Sequence, residues 1–107
     1  MNTFQEFQTL TAKVPLSLRN NLNRIHLPLT GLQEEVGQIG SLLMRASVSG
    51  RFNLTTEQQG QLRGKLADVL WYVALLCEES GIPMQEVASH SIAQVQERIK
   101  QLDPDNR

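Results

Sequence analysis

The run Lys65-Leu-Ala-Asp-Val-Leu-Trp-Tyr-Val-Ala-Leu-Leu-Cys77 carries the clearest helical pattern in the chain. Leu66, Val69, Val73 and Leu76 recur at three and four residues, with Leu62 one turn earlier, which is the period of a helix. From Val69 onward apolar side chains cover most of the circumference, so the helix is expected to be central and wrapped on several sides. Asp68 is the exception, and a carboxylate at that depth should be paired or hold a metal. Gly81 ends the helix just past its last turn, and Pro83 opens the next one. Upstream, Thr55 and Thr56 each have a Gln three positions on, so either can cap the start.

Three more helices flank this one. Residues 4–13 carry the stripe Phe4, Phe7 and Leu10, with Thr3 and Glu6 in capping-box spacing and Pro15 as the stop. Residues 16–28 read as a loop or a partial helix. Residues 29–47 place Leu29, Leu32, Val36, Ile39 and Leu43 at helical spacing, with Pro28 at the start. Gly31, Gly37 and Gly40 inside that helix each cost about 1 kcal/mol relative to Ala, which predicts close approach of another backbone. Gly50 ends the segment and residues 51–55 form a loop. The last helix carries Val87, Ser91, Val95, Ile99 and Leu102, and residues 103–107 should fray. No stretch reads as a strand. Short links between long helices predict an all-α, antiparallel four-helix bundle, one domain over residues 1–107.

Composition narrows the function classes. The chain has 107 residues, 10 Lys and Arg against 11 Asp and Glu, and a net charge of −1, without the basic excess of a generic nucleic-acid binder. No apolar run approaches the roughly 18 residues of a membrane helix. The first ten residues have no secretory pattern, so a cytoplasmic location is expected. One cysteine cannot make an internal disulfide, and Cys77 reads as a small buried hydrophobe. His26 and His90 read as surface or loop residues, with no zinc spacing. No nucleophile elbow, phosphate loop or dinucleotide fingerprint is present. A chain this short buries only about two-thirds of its unfolded surface, so a partner chain would help it.

Two polar rows remain. Gln61, Lys65, Asp68 and Tyr72 lie at helical spacing on the third helix; Glu35 and Gln38, with Glu34, lie on the second. Packed antiparallel, the helices can bring these rows together, and facing carboxylate pairs would make an oxygen cage for Mg²⁺. Plainer readings stand beside this one. Lys65 and Asp68 can be an i,i+3 salt bridge. Glu34 and Glu35 can be a solvated face or partners of the helix dipole. Trp71 and Tyr72 can pack the bundle rather than stack on a base.

The segments Gly31-Leu-Gln-Glu-Glu-Val-Gly-Gln38, Lys65-Leu-Ala-Asp-Val-Leu-Trp-Tyr72 and Glu78-Glu-Ser-Gly-Ile-Pro83 resemble the MazG-like nucleoside triphosphate pyrophosphohydrolases. The opening and closing helices share the resemblance, so it covers nearly the whole chain. It implies an all-α bundle completed by dimerisation, as a homodimer or a dimer of dimers. It also implies Mg²⁺-dependent hydrolysis of a nucleoside triphosphate to monophosphate and pyrophosphate. The family motif is EExxE followed by ExxD. Carried over by position, Glu34, Glu35, Gln38 and Asp68 would be the metal ligands, with Glu35 and Asp68 catalytic. Arg98 resembles a basic residue of the family's last helix and would touch substrate; Tyr72 would stack on its base, and in a lapsed member Lys65 would contact its phosphate.

The sequence departs from that pattern where it matters for a cation. Gln38 stands in place of the third Glu, and Lys65 in place of the Glu of ExxD. Ser91 and Gln94 stand where the family commonly has an Asn and a Lys on its last helix. A lysine offers only donors and its own positive charge, so Lys65 is expected to pair with Asp68 or Glu35 and take the ion's place. Three functions stay open: a working pyrophosphohydrolase, a lapsed member that binds nucleotide without cleaving it, and a partner-binding helical oligomer.

Overall fold

The structure, a computed structural model, describes residues 3–13, 23–48 and 51–102. It is all-helical apart from one minimal hairpin. The elements run α1 (Phe4–Thr11), α2 (Asn23–Ala46), β1 (Ser47–Val48), β2 (Arg51–Phe52), α3 (Thr56–Ser80) and α4 (Met84–Leu102). The expectations for Pro15, residues 16–22, Gly50 and residues 103–107 lie outside the described residues.

Local chemistry accounts for the helix ends. The Thr3 hydroxyl accepts from the Glu6 N–H at 3.0 Å and starts α1. Thr55 starts α3 with a full capping box: its hydroxyl accepts from Gln58 N–H at 3.1 Å, and Gln58 Oε1 accepts from Thr55 N–H at 3.0 Å. Gly81 closes α3 at φ 71°, a left-handed geometry that favours a residue without Cβ. Two boundaries differ from the sequence expectation. α1 stops at Thr11, two residues early. α2 begins at Asn23, so Pro28 sits inside it and is fully buried rather than marking its start.

α2 and α3 share the largest interface, and α1 packs on α3 and α4. Gly31 lies against Tyr72, and Gln38 meets Lys65. Moving up α2 therefore means moving down α3, so the pair is antiparallel. The turn between them contains the antiparallel hairpin, with Ser47 opposite Phe52 and Val48 opposite Arg51. Residues 51–52 thus pair instead of forming a plain loop.

The buried row of α2 is Pro28, Gly31, Leu42 and Ala46, and Glu35 and Gln38 fall within it at helical spacing. That row is one position off the expected apolar stripe. Leu29 and Val36 of the expected stripe are 41% and 56% exposed. On α3 the expected stripe is half-buried at Leu62, Val69, Val73 and Leu76 and nearly half exposed at Leu66, while Ala74, Leu75 and Cys77 are buried beside it. The expectation that α3 is wrapped on several sides holds for its C-terminal half only.

A second buried cluster joins Ala74, Cys77 and Met84, with Phe7 and Val73 packed on it. Gln8 pins this corner. Its Nε2 donates to the Ile82 carbonyl at 3.1 Å, and the Met84 N–H donates to its Oε1 at 2.6 Å. Beyond residue 90 every described side chain of α4 is exposed, including Ile92, Val95, Ile99 and Leu102. The radius of gyration is 17.2 Å, against about 13 Å for a compact domain of this length.

Candidate functional site

The offset rows decide what lies between α2 and α3. Because the polar row of α2 shares the buried face, Glu35 and Gln38 are half-buried against α3 rather than solvated. Facing them on α3 are Lys65 and Tyr72, both half-buried, with the exposed Asp68 between these two on the same helix. Of the residues singled out from the sequence, Glu34, Glu35, Gln38, Lys65, Asp68 and Tyr72 come together here. Arg98 does not: it sits on the exposed distal half of α4, while α4 packs against α1.

Tyr72 is the centre of the assembly. Its ring lies over Gly31 so closely that a Cβ at residue 31 would overlap it, standing 2.8 Å from the hydroxyl oxygen. A side chain, not another backbone, is therefore what Gly31 admits. Gly37 and Gly40 face open space, with nothing within 4 Å of where a Cβ would stand, which corrects the expectation of close approach there. Burial pushes the Tyr72 hydroxyl above its ordinary pKa of 10.0, and the negative charges of Asp68, Glu35 and Glu34 push it the same way. Three carboxylates from two helices thus act on one phenol, which stays a neutral donor across the physiological range. Trp71 turns elsewhere: with Phe7, Leu10 and Thr11 it lines a cavity of about 300 Å³ beside α1. Its ring centroid is 5.3 Å from that of Tyr72.

Lys65 corrects a second expectation. Its Nζ donates to Oε1 of Gln38 at 2.5 Å, across the helix interface, rather than pairing with Asp68 or Glu35. The Gln38 amide in turn donates from Nε2 to Oε1 of Glu34 at 3.2 Å. Gln38 is therefore a neutral link between an ammonium and a carboxylate. Asp68, being exposed, does not suffer the desolvation expected of a carboxylate deep in a helix core.

As they lie, these donors are not gathered into a cage for Mg²⁺ among the described residues. A hard divalent cation needs several convergent oxygens, mostly anionic. Among the described residues no three His, Cys, Asp or Glu side chains converge as a metal site. An ammonium already holds the Gln38 oxygen. One observation points the other way: Oε2 of Glu35 is shut off from solvent without a hydrogen-bond partner.

Sequence reasoning missed Arg45 and Ser41. They extend the row of Glu34 and Gln38 along α2 at helical spacing. With Lys65 these four line an open groove of about 490 Å³. The spacing 34, 38, 41, 45 was visible, but the family motif stops at residue 38. Elsewhere Cys77 is buried, and its thiol is pushed above the ordinary range by burial, as suits an inert core residue. His26 and His90 are exposed. No helix among the described residues is long and apolar enough to cross a membrane. Comparison with protein-family models, with curated proteins and with solved structures gives no match.

Proposed function

We propose that this chain is a MazG-like nucleotide protein whose α2–α3 face binds a nucleoside triphosphate, with Lys65 and Gln38 in place of the family's metal ligands. The observation that carries this reading is the meeting of Glu34, Glu35, Gln38, Lys65, Asp68 and Tyr72 at one helix interface. Lys65 brings a charge that can neutralise phosphate without an ion. Tyr72, kept protonated, offers a hydroxyl donor two turns further along α3. The cytoplasm, where nucleoside triphosphates are abundant, is the proposed place of action.

Magnesium-dependent hydrolysis of a nucleoside triphosphate to monophosphate and pyrophosphate is the second reading. The partnerless Oε2 of Glu35 favours it, since a buried carboxylate oxygen without a donor is costly. It requires Lys65 to leave Gln38. A homodimer or dimer of dimers, completing an antiparallel four-helix bundle, belongs to both readings. It is supported by the apolar side chains left exposed on α2, α3 and α4.

One assay separates the readings. Pyrophosphate release is measured from a panel of natural and modified nucleoside triphosphates with Mg²⁺ or Mn²⁺. The wild type runs beside the double variant Gln38→Glu, Lys65→Glu, and thermal shifts are recorded for both. A wild type that is stabilised by a nucleotide yet silent, beside an active double variant, is the expected result. Metal-dependent release by the wild type selects the hydrolase. No release by either protein and no stabilisation by any nucleotide would remove both readings in favour of a partner-binding bundle.

A further inference from the structure

The groove along α2 carries more positive charge than its lining carboxylate offsets. Its charged residues are Lys65, Arg45 and Glu34, two cations against one anion. Glu34 already accepts from the Gln38 amide. Lys65 spends one of its three donors on a neutral amide oxygen and keeps its full charge, half-buried where solvent screens it less. Arg45 stands exposed in the last turn of α2. Its planar guanidinium presents donors in a fork that matches an oxyanion. Ser41 lies between Gln38 and Arg45 on the same helix face and adds a hydroxyl donor.

We propose that this groove is a metal-independent oxyanion site that takes a phosphate or pyrophosphate group, with Lys65 and Arg45 as its fixed cations. The inference rests on the nucleotide reading only for the identity of a larger ligand. The groove's charge and donors hold without it. A fixed ammonium does here what a bound divalent ion would do, and its charge repels such an ion. Binding therefore needs no added metal, and it weakens as salt rises, because the attraction is partly between charges open to solvent.

The test is a titration of the full chain with inorganic pyrophosphate in excess EDTA, followed by isothermal calorimetry and by amide chemical shifts. Inorganic phosphate and a nucleoside triphosphate form the parallel arms. Binding in EDTA, with shifts at residues 38, 41, 45 and 65, is expected. Arg45→Gln should weaken it by about tenfold, as for one lost charge-assisted hydrogen bond. Lys65→Met should weaken it at least as much. Arg45 is exposed, so its variant keeps the fold and the test stands if Lys65→Met unfolds. No pyrophosphate binding in EDTA, binding only after Mg²⁺ is added, or unchanged affinity in Arg45→Gln would overturn the proposal. Pyrophosphate bound in EDTA with no triphosphate bound upholds the oxyanion site and removes the nucleotide reading. Triphosphate bound only with Mg²⁺ overturns the oxyanion site and leaves the magnesium-dependent reading standing.

Discussion

Gly31 and Tyr72 set how closely α2 and α3 approach at the site. A helical glycine costs about 1 kcal/mol against alanine, and the gain here is room for a phenol ring. Gly31→Ala improves helix propensity and still should destabilise the fold by about 1–3 kcal/mol, because the added methyl overpacks against the ring. Urea melts of the variant check this, and the double variant Gly31→Ala, Tyr72→Ala should lose less than the two single changes summed. A more stable Gly31→Ala protein would mean that the ring moves aside freely. The sequence showed that Gly31 needed a reason but not which one. A glycine pattern cannot distinguish a neighbouring backbone from a neighbouring aromatic ring. Lys65 was legible in a similar partial way: its charge conflicts with a cation site, but its choice of Gln38 over Asp68 depends on the rotation of two helices about their axes.

That rotation is set by packing between helices and not by any one helix's own sequence. The capping residues Thr3 and Thr55 and the terminator Gly81 were legible because each acts within four residues of chain. The start of α2 was not, because a proline reads as a helix start and here the ring of Pro28 is buried inside the helix. On α2 the buried row lies one position from the apolar stripe. Apolar periodicity picked out Leu29, Leu32 and Val36, whereas the face against α3 carries Gly31, Glu35 and Gln38. Polar residues in a buried row read as solvent from sequence alone, which is why a site hides well there. Arg45 escaped for a different reason, since nothing in the motif reaches that far along α2. One amide ties α1 to the start of α4, beside the packing of Phe7 on the cluster that holds Met84. Gln8→Ala removes the acceptor of the Met84 N–H and the donor to the Ile82 carbonyl. A loss of about 1–3 kcal/mol is expected, read as faster amide exchange at residues 82–84. Unchanged exchange there would show that water replaces the side chain without cost.

For the whole molecule, the described helices leave much apolar surface uncovered. Leu66 and Leu70 on α3, Val36 on α2 and Val95, Ile99 and Leu102 on α4 are all 46% exposed or more. Isolated apolar side chains at a surface are ordinary, but helical stripes of them mark contact faces. Sedimentation should therefore give a mass at least twice 12.0 kDa. Val95→Glu with Ile99→Glu should lower it while helical circular dichroism per residue stays largely intact. A monomeric wild type at high concentration would contradict this reading. The α2–α3 pair has a further consequence, for the order of folding. Lys65 and Gln38 are 27 residues apart, and a minimal hairpin lies in the turn between their helices. The two helices are consecutive along the chain, so their meeting closes a single loop and requires no other element to dock first. The polar interface is thus assembled by the part of the chain that needs no other element to meet, while α1 and α4 dock onto a helical hairpin whose ammonium and amide already touch.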